Sequence, residues 1–405
     1  RFAVPTIAFT TIAGDGYINE DEADTNGFTV VGWATDADAD CSGAACTVTV
    51  VMTAVTGGAS HTETCNVAGS SVWTCTFAAG DIAALQDGLV TLTADVSNDE
   101  GAATTANAQA TLDTADPTVT ITSTNVDDNG FYNAAVTLAF ATSESTSNFV
   151  AGDITAGGAG CSMGSLTTIS GQSYTIVCTP SGEGSVTINI AASAFTDTAG
   201  NGNTVATQFD WTHDVTAPTM TISTGDVADE GDFNAAVTLT LTSNQATSNL
   251  AIGDVATTGS GDCTLSSWNA QSTTVYTVIC TPDGEGTVII NIAAAAFTDE
   301  AGNSNTASNE YDWTHDVTVP VVSTATVTGG TAKVGTVITV TVAADAAGYT
   351  LGTSSMNGVT MAGFNDAGSG SYTMTYTVVE GNTDRAAGAT PVSVILTDAA
   401  GNTNS

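Results

Sequence analysis

The chain has 405 residues, with 42 Asp or Glu against three Lys or Arg (Arg1, Lys333 and Arg385), for a formal net charge of −39. That balance excludes nucleic acid and anionic membrane as partners, because neutralising phosphates requires a basic surface. Apolar residues make up 42% of the chain and alternate with polar ones in Val-, Ile- and Thr-rich runs, which excludes an acidic disordered coil.

The length exceeds one β-sandwich and suits three or four of roughly 100 residues each. From the start, Arg1-Phe-Ala-Val-Pro5-Thr-Ile7 reads as a linker entering a first strand. An acidic loop follows, Asp15-Gly-Tyr-Ile-Asn-Glu-Asp-Glu22. It has part of an EF-hand loop but lacks the full Asp-x-Asp-x-Asp-Gly series, so it is a loop that contributes ligands and not a hand. Cys41, Cys46, Cys65 and Cys75 come next. Four cysteines allow three pairings, of which Cys41–Cys46 with Cys65–Cys75 is preferred.

Beyond residue 116 the chain repeats itself. Asn189-Ile-Ala-Ala-Ser-Ala-Phe-Thr-Asp-Thr-Ala-Gly-Asn201 returns 102 residues later as Asn291-Ile-Ala-Ala-Ala-Ala-Phe-Thr-Asp-Glu-Ala-Gly-Asn303. Cys161, Cys178 and His213 return at the same offset as Cys263, Cys280 and His315, whereas Asn133 returns 101 residues later as Asn234. One residue is therefore inserted between Asn234 and Cys263. A loop is the place for it, because a slip within a strand would turn every side chain to the wrong face. A period near 100 is too long for a solenoid repeat and fits a sandwich domain.

The second module predicts strands at 118–123, 134–141, 148–155, 162–169, 173–179, 185–192 and 205–212, separated by turn clusters such as Asp127-Asp128-Asn129-Gly130. Asp113, Asp214 and Asp316 each precede a proline by four residues, and each proline opens a new alternation. These boundaries divide the chain into 1–116, 117–217, 218–319 and 320–405. The linkers are only a few residues long, which stiffens an elongated array. The last module stops just after the turn that follows its sixth strand, and the expectation is that it lacks a closing strand, supplied either by further chain or by another subunit.

Residues Gly152-Asp153-Ile154-Thr155, Ala194-Phe195-Thr196-Asp197-Thr198-Ala199-Gly200-Asn201 and Asp214-Val215-Thr216-Ala217-Pro218 resemble the bacterial immunoglobulin-like repeats found in tandem in large surface adhesins. Module one resembles a sister type through its loop at 13–23 and Asp81-Ile82-Ala83-Ala84-Leu85. The resemblance implies an all-β chain of four tandem immunoglobulin-like β-sandwich modules. It also implies an extracellular structural or adhesive role at the cell surface, with neighbouring modules, identical subunits or a surface or matrix ligand as partners. It is specific for fold and weak for function, since such modules serve as stalks, spacers and binding tips alike. Two departures stand out: the adhesin repeats commonly lack cysteine, and module one has Ser97-Asn98-Asp99-Glu100-Gly101-Ala102 in place of the later Asp-x-Ala-Gly-Asn turns.

Those turns, at residues 197–201, 299–303 and 398–402, have a structural reading, with Asp capping the turn and Gly at positive φ. They also have a metal-binding reading. An up-and-down strand count places the loop after strand six at the module's N-terminal end and the loop after strand one at its C-terminal end. Each junction then gathers oxygens from three sources. Between modules one and two these are Asp15, Asn19, Glu20 and Glu22, then Asp113, then Asp197. Between two and three they are Asp127 and Asp128, then Asp214, then Asp299. Between three and four they are Asp229, Glu230 and Asp232, then Asp316, then Asp398. Such mixed carboxylate sets suit calcium, which takes six to eight oxygens. The simpler alternative is a solvated acidic face.

Cys161 and Cys178 flank a hairpin whose midpoint falls beside Ser170-Gly171, which makes them near cross-strand neighbours and a disulfide; Cys263 and Cys280 repeat the pattern. An even cysteine count in a β-rich chain reads as disulfides formed outside the cytosol. Each of these loops contributes roughly 3 kcal/mol in the chain-entropy model. His213 and His315 read as packing residues and Trp211 and Trp313 as core anchors. The longest apolar run, at 288–297, is too short to cross a bilayer. No nucleophile elbow, P-loop or His-Glu-x-x-His is present, so the chain does not read as an enzyme. The leading functional expectation is a calcium-stiffened adhesin stalk. The alternative is a self-assembling filament or lattice subunit joined by donor-strand complementation.

Overall fold

A computed structural model describes residues 4–35, 46–68, 71–98, 101–386 and 388–404. It divides into two compact units, Arg1–Val215 and Thr216–Ser405. Each unit contains two separate hydrophobic cores, so four β-sandwich modules follow one another along the chain.

The strands follow from period-two alternation. Phe28–Thr35 buries every second residue, and Val136–Thr142 and Val237–Ser243 do the same. In module two, one sheet orders Val119–Ser123, Val136–Thr142, Ser173–Pro180 and Cys161–Met163. The facing sheet orders Gly130–Tyr132, Phe209–His213, Gly184–Ile190 and Ile154–Gly158. Module three repeats both sheets. Between them lie Phe140, Phe195 and Trp211 in module two, and Phe297 and Trp313 in module three.

The expected first strand is in fact two. Val119–Ser123 pairs antiparallel with Val136–Thr142, whereas Gly130–Tyr132 pairs parallel with Phe209–His213 in the other sheet. The chain therefore changes sheets at residues 124–129, partway along the module, while still running towards its C-terminal end. Module one does the same, with Thr6–Thr11 in one sheet and Tyr17–Ile18 parallel to Ala106–Leu112 in the other. The predicted strand 148–155 is shorter than expected: a helical turn at Ala151–Asp153 precedes Ile154–Gly158, and Asp153 accepts the Val150 N–H at 2.8 Å.

The inserted residue lies where side-chain facing dictates. Gly158 and Gly259 match at an offset of 101 and Cys161 and Cys263 at 102, so the extra residue falls in the turn at 260–262. Asp262 there takes φ +28°, and its carboxylate accepts the Cys263 N–H at 2.8 Å.

Cys161–Cys178 and Cys263–Cys280 form as expected, with Cα–Cα distances of 5.5 and 5.6 Å. They join cross-strand positions offset by two residues, since Cys161 faces Pro180 and Cys178 faces Met163. Cys65–Cys75 also forms, linking an edge strand of one sheet of module one to an edge strand of the other. Cys46 is disulfide-bonded too. The Cys41 end of the expected Cys41–Cys46 pair lies outside the described residues, as do Asp99 and Glu100. In the same module Gly32 is required by close approach, because a Cβ there would collide with the Ala8 carbonyl and the Trp73 ring.

Module four keeps the first sheet, ordered Val322–Thr328, Val337–Ala344, Ser371–Thr377 and Ala362–Asp366. Among the described residues, its second face consists of two short ladders around Thr350–Leu351 and Ser355–Met356. No helix among the described residues is long and apolar enough to cross a membrane.

Trp211 and Trp313 are the buried anchors expected, 1% and 0% exposed, but their indole N–H groups meet no acceptor in the structure. Two substitutions separate packing from this unmet donor. Trp313→Ala is expected to destabilise the third module by about 3–5 kcal/mol, the usual cost of a large cavity. Trp313→Phe removes the orphaned donor together with some volume and is expected to cost less than about 2 kcal/mol. Scanning calorimetry of both variants checks the difference.

Candidate metal centre

The Asp-x-Ala-Gly-Asn turns are organised by their own first residue. In module two, Asp197 is 5% exposed. Its Oδ1 accepts the N–H groups of Ala199 (2.8 Å), Gly200 (2.7 Å) and Asn201 (3.0 Å), and its Oδ2 accepts from Asn201 Nδ2 at 3.0 Å. Asp299 binds the N–H and Nδ2 of Asn303 at 2.8 and 3.0 Å, and Asp398 binds those of Asn402 at 2.7 and 3.0 Å. Gly200, Gly302 and Gly401 take φ of +99°, +92° and +92°, the region where a Cβ is strained. The capping role read from the sequence is what these aspartates perform.

The asparagines that end the first and third of these turns reach the preceding module. Asn201 Nδ2 donates to the carbonyl of Asp113 in the linker (2.8 Å), and its Oδ1 accepts the Glu20 N–H of module one (2.7 Å). In the second unit Asn402 Nδ2 donates to the carbonyl of Asp316 (2.8 Å), and its Oδ1 accepts from Asn234 Nδ2 (2.9 Å). Both latches hold a linker through its main chain.

Beside the first latch three carboxylates converge. Oxygens of Asp113, Glu144 and Asp197 all lie within 4.8 Å of one another. Burial, followed by the negative charges of Asp113, Asp197, Asp87 and Asp116, pushes the Glu144 carboxyl above its ordinary value. Burial also raises Asp113; the Ala115 N–H opposes this, and Asp197 and Asp87 add to it. The two Lys or Arg among the described residues, Lys333 and Arg385, lie in module four, so no described Lys or Arg of modules one or two offsets this charge. Two oxygens on opposite sides of a calcium ion lie about 4.6–5.2 Å apart, so the three oxygens fit a common ion, and hard carboxylate donors are its preferred set.

Of the expected ligands, the structure brings Asp113 and Asp197 to this place. The others do different work. Asn19 and Glu22 form a reciprocal capping pair, with Glu22 N–H donating to Asn19 Oδ1 at 3.1 Å and Asn19 N–H to Glu22 Oε2 at 3.2 Å. Glu20 enters the junction through its backbone N–H. Asp15 accepts the Tyr17 N–H within its own loop.

The sheet change moves a second group away from the module ends. Asp127 and Asp128 lie at the crossing, where Asp128 Oδ1 accepts the Asp210 N–H at 2.8 Å and the Asp127 carbonyl accepts the Gly130 N–H. Asp229 likewise accepts the Asp312 N–H at 3.0 Å, Glu230 takes φ +61° in the same turn, and Asp232 lies in Gly231–Phe233. The up-and-down count that put this loop at the C-terminal end is thus corrected: the loop that reaches that end begins at Asn133 or Asn234. In the linkers, Asp214 N–H donates to the Tyr132 carbonyl, and Asp316 Oδ1 accepts the Thr318 N–H at 2.8 Å.

Glu144 was not among the expected ligands. Its place is marked by the preceding residue, which caps the first strand in modules two, three and four: Thr118 N–H donates to Ser143 Oγ, Thr219 N–H to Asn244 Oδ1 and Val321 N–H to Asp345 Oδ1. The position after the cap is therefore Glu144, Gln245 and Ala346 in modules two, three and four. With its amide turned so that the nitrogen faces these acceptors, Gln245 donates to Asp299 Oδ2 at 3.1 Å and to the Thr216 carbonyl at 3.2 Å, so an amide meets the turn carboxylate where module two adds a further charge. Ala346 offers no side-chain donor.

The two repeated histidines pack against the module ends. Nδ1 of His213 lies 2.9 Å from the Gly182 carbonyl and that of His315 2.8 Å from Gly284, so Nδ1 carries the proton in both bonds.

Residues 113–212 and 214–314 match the model of the bacterial Ig-like domain family. Among solved structures, the chain is similar to a tetra-tandem repeat from the extending region of a large adhesion protein, with 19% identity over 99% of this chain and 97% of that one and a TM-score of 0.32. It is similar to a Ca2+-stabilized adhesin that helps an Antarctic bacterium reach out and bind ice (19% identity, 100% and 97% coverage, TM-score 0.34). Invasin, a bacterial integrin-binding protein, is a third (15% identity, 93% and 74% coverage, TM-score 0.40). These superpositions are loose, and the family assignment stands on the domain match. No curated protein matches the chain.

Proposed function

Since the chain belongs to the bacterial Ig-like domain family through residues 113–212 and 214–314, we propose that it is an extracellular stalk of the adhesin kind, in which calcium fixes the junction between its first two modules. The observation that carries this reading is the convergence of Asp113, from the linker, with Glu144 and Asp197, from the module that follows. Calcium would supply positive charge to three carboxylates that otherwise repel one another. The residues around them do the positioning. Asp197 is held by the turn it organises, and Asn201 holds the linker that carries Asp113. A stalk has use for such a joint, because stiffness in a row of domains is set at the linkers. Disulfides within the modules fit an oxidising exterior.

The test is X-ray scattering and calorimetry of the chain with calcium and after chelation. The expected result is a change in maximum dimension and a lower thermal midpoint for the first unit on chelation. If neither quantity changes, calcium has no part in the joint.

A further inference from the structure

Module one contains a second cluster of metal-ligating side chains, unrelated to the junction. We infer that His61, Glu63 and Asp81 form a binding site for one zinc-class divalent ion. His61 and Glu63 are two residues apart on the edge strand Ser60–Asn66, on its half-buried face, while residues 60, 62, 64 and 66 are exposed. Asp81 comes from the short helical turn Ala79–Ile82 that follows Val72–Phe77. His61 Nε2 lies 3.2 Å from Asp81 Oδ1 and 3.5 Å from Glu63 Oε1, and one ligand atom from each residue falls within 4.8 Å of the others.

These separations suit a tetrahedral ion. With bonds of about 2.0–2.1 Å, neighbouring ligands of zinc lie about 3.3 Å apart. Two carboxylate oxygens and one imidazole nitrogen, with a fourth place for water, form a donor set that zinc accepts. Calcium, which takes six to eight oxygens, has no preference for the nitrogen.

The site is held in shape by its surroundings. Asp81 Oδ2 accepts the Ala78 N–H at 3.2 Å, which leaves Oδ1 turned to His61. The Phe77 ring meets the imidazole edge-on at 6.4 Å. The Cys65–Cys75 disulfide ties the strand that carries His61 and Glu63 to the strand that leads into Asp81. Such fixed partners reduce what must be ordered when an ion binds. Among the described residues of module one there is no Lys or Arg to balance the two carboxylates. His213 and His315 already engage main-chain carbonyls through Nδ1, and neither belongs to a comparable cluster among the described residues.

The test uses the full chain with zinc chloride as the probe, titrated calorimetrically in excess calcium to suppress non-selective binding to carboxylates. One equivalent of zinc is expected to bind. His61→Ala is expected to abolish it, Asp81→Asn to weaken it by about tenfold or more, and His213→Ala to leave it unchanged. A second readout needs no variant: in imidazole 1H–15N spectra, zinc should shift the signals of His61 and leave those of His213 and His315 in place. Zinc uptake that is absent in excess calcium, that survives His61→Ala, or that moves the other histidines instead overturns the proposal.

Discussion

Asp197→Ala is expected to destabilise the second module by about 3–5 kcal/mol, because one carboxylate serves three backbone N–H groups and one side-chain amide in a buried turn. Removing it leaves donors without partners, and a buried donor left unpaired costs more than the net worth of its bond. Asp197→Asn keeps an acceptor at the same place and is expected to cost about 1–2 kcal/mol, by loss of the charge-assisted strength. The effect should cross the junction. Asn201 is oriented by Asp197, and it is Asn201 that accepts the Glu20 N–H. Hydrogen exchange at Glu20 should therefore quicken in Asp197→Ala while module one remains folded. An unfolding transition of module two within about 1 kcal/mol of the parent's would show that the turn does not depend on this side chain.

Glu144→Gln should do the opposite to the calcium-free protein. Burial and neighbouring carboxylates raise both Glu144 and Asp113 in the folded state. A carboxyl whose folded value is raised contributes stability that is full below its unfolded value and is lost as pH rises through the folded one. At neutral pH, without metal, both groups thus oppose folding of the first unit. Replacing Glu144 by the isosteric amide removes one of these charges, so the chelated variant should melt at a higher temperature than the chelated parent at neutral pH. The gain should vanish in acid, where the parent's carboxyl is protonated. Calcium should then stabilise the variant less, with affinity lower by about tenfold or more. Thermal melts with and without chelator, in acid and at neutral pH, give all four comparisons. A variant that is less stable than the parent without calcium, and equally responsive to it, would contradict the assignment.

The parts legible in the sequence are those set by local pattern. Alternation in 136–142 and 237–243 gave strands, and the repeat fixed their equivalence. Spacing about a turn gave Cys161–Cys178, and Asp-x-Ala-Gly-Asn gave a capped turn. Alternation states which face of a strand is buried but not which sheet receives it. The change of sheet at 124–129 was therefore invisible, and with it the true position of Asp128. Acidity alone did not separate ligands from capping groups: Asn19 and Glu22 satisfy each other's backbone. Glu144, in a Ser-Glu-Ser loop, carries no mark of its own. It joins Asp113 and Asp197, 31 residues before it and 53 after it, only because folding returns the loop to the linker.

The asparagine latches also set an order of events. Asn201 holds the carbonyl of Asp113 from 88 residues downstream, and Asn402 holds that of Asp316 from 86. In each pair the holding residue sits in a turn that forms only when nearly all of the following module is present. As the polypeptide is synthesised N-terminus first, a module can complete its own sandwich while its tether to the next remains free. Contacts that span so much chain form late. The latch on the linker that follows module one or module three can therefore close only after the succeeding module has folded.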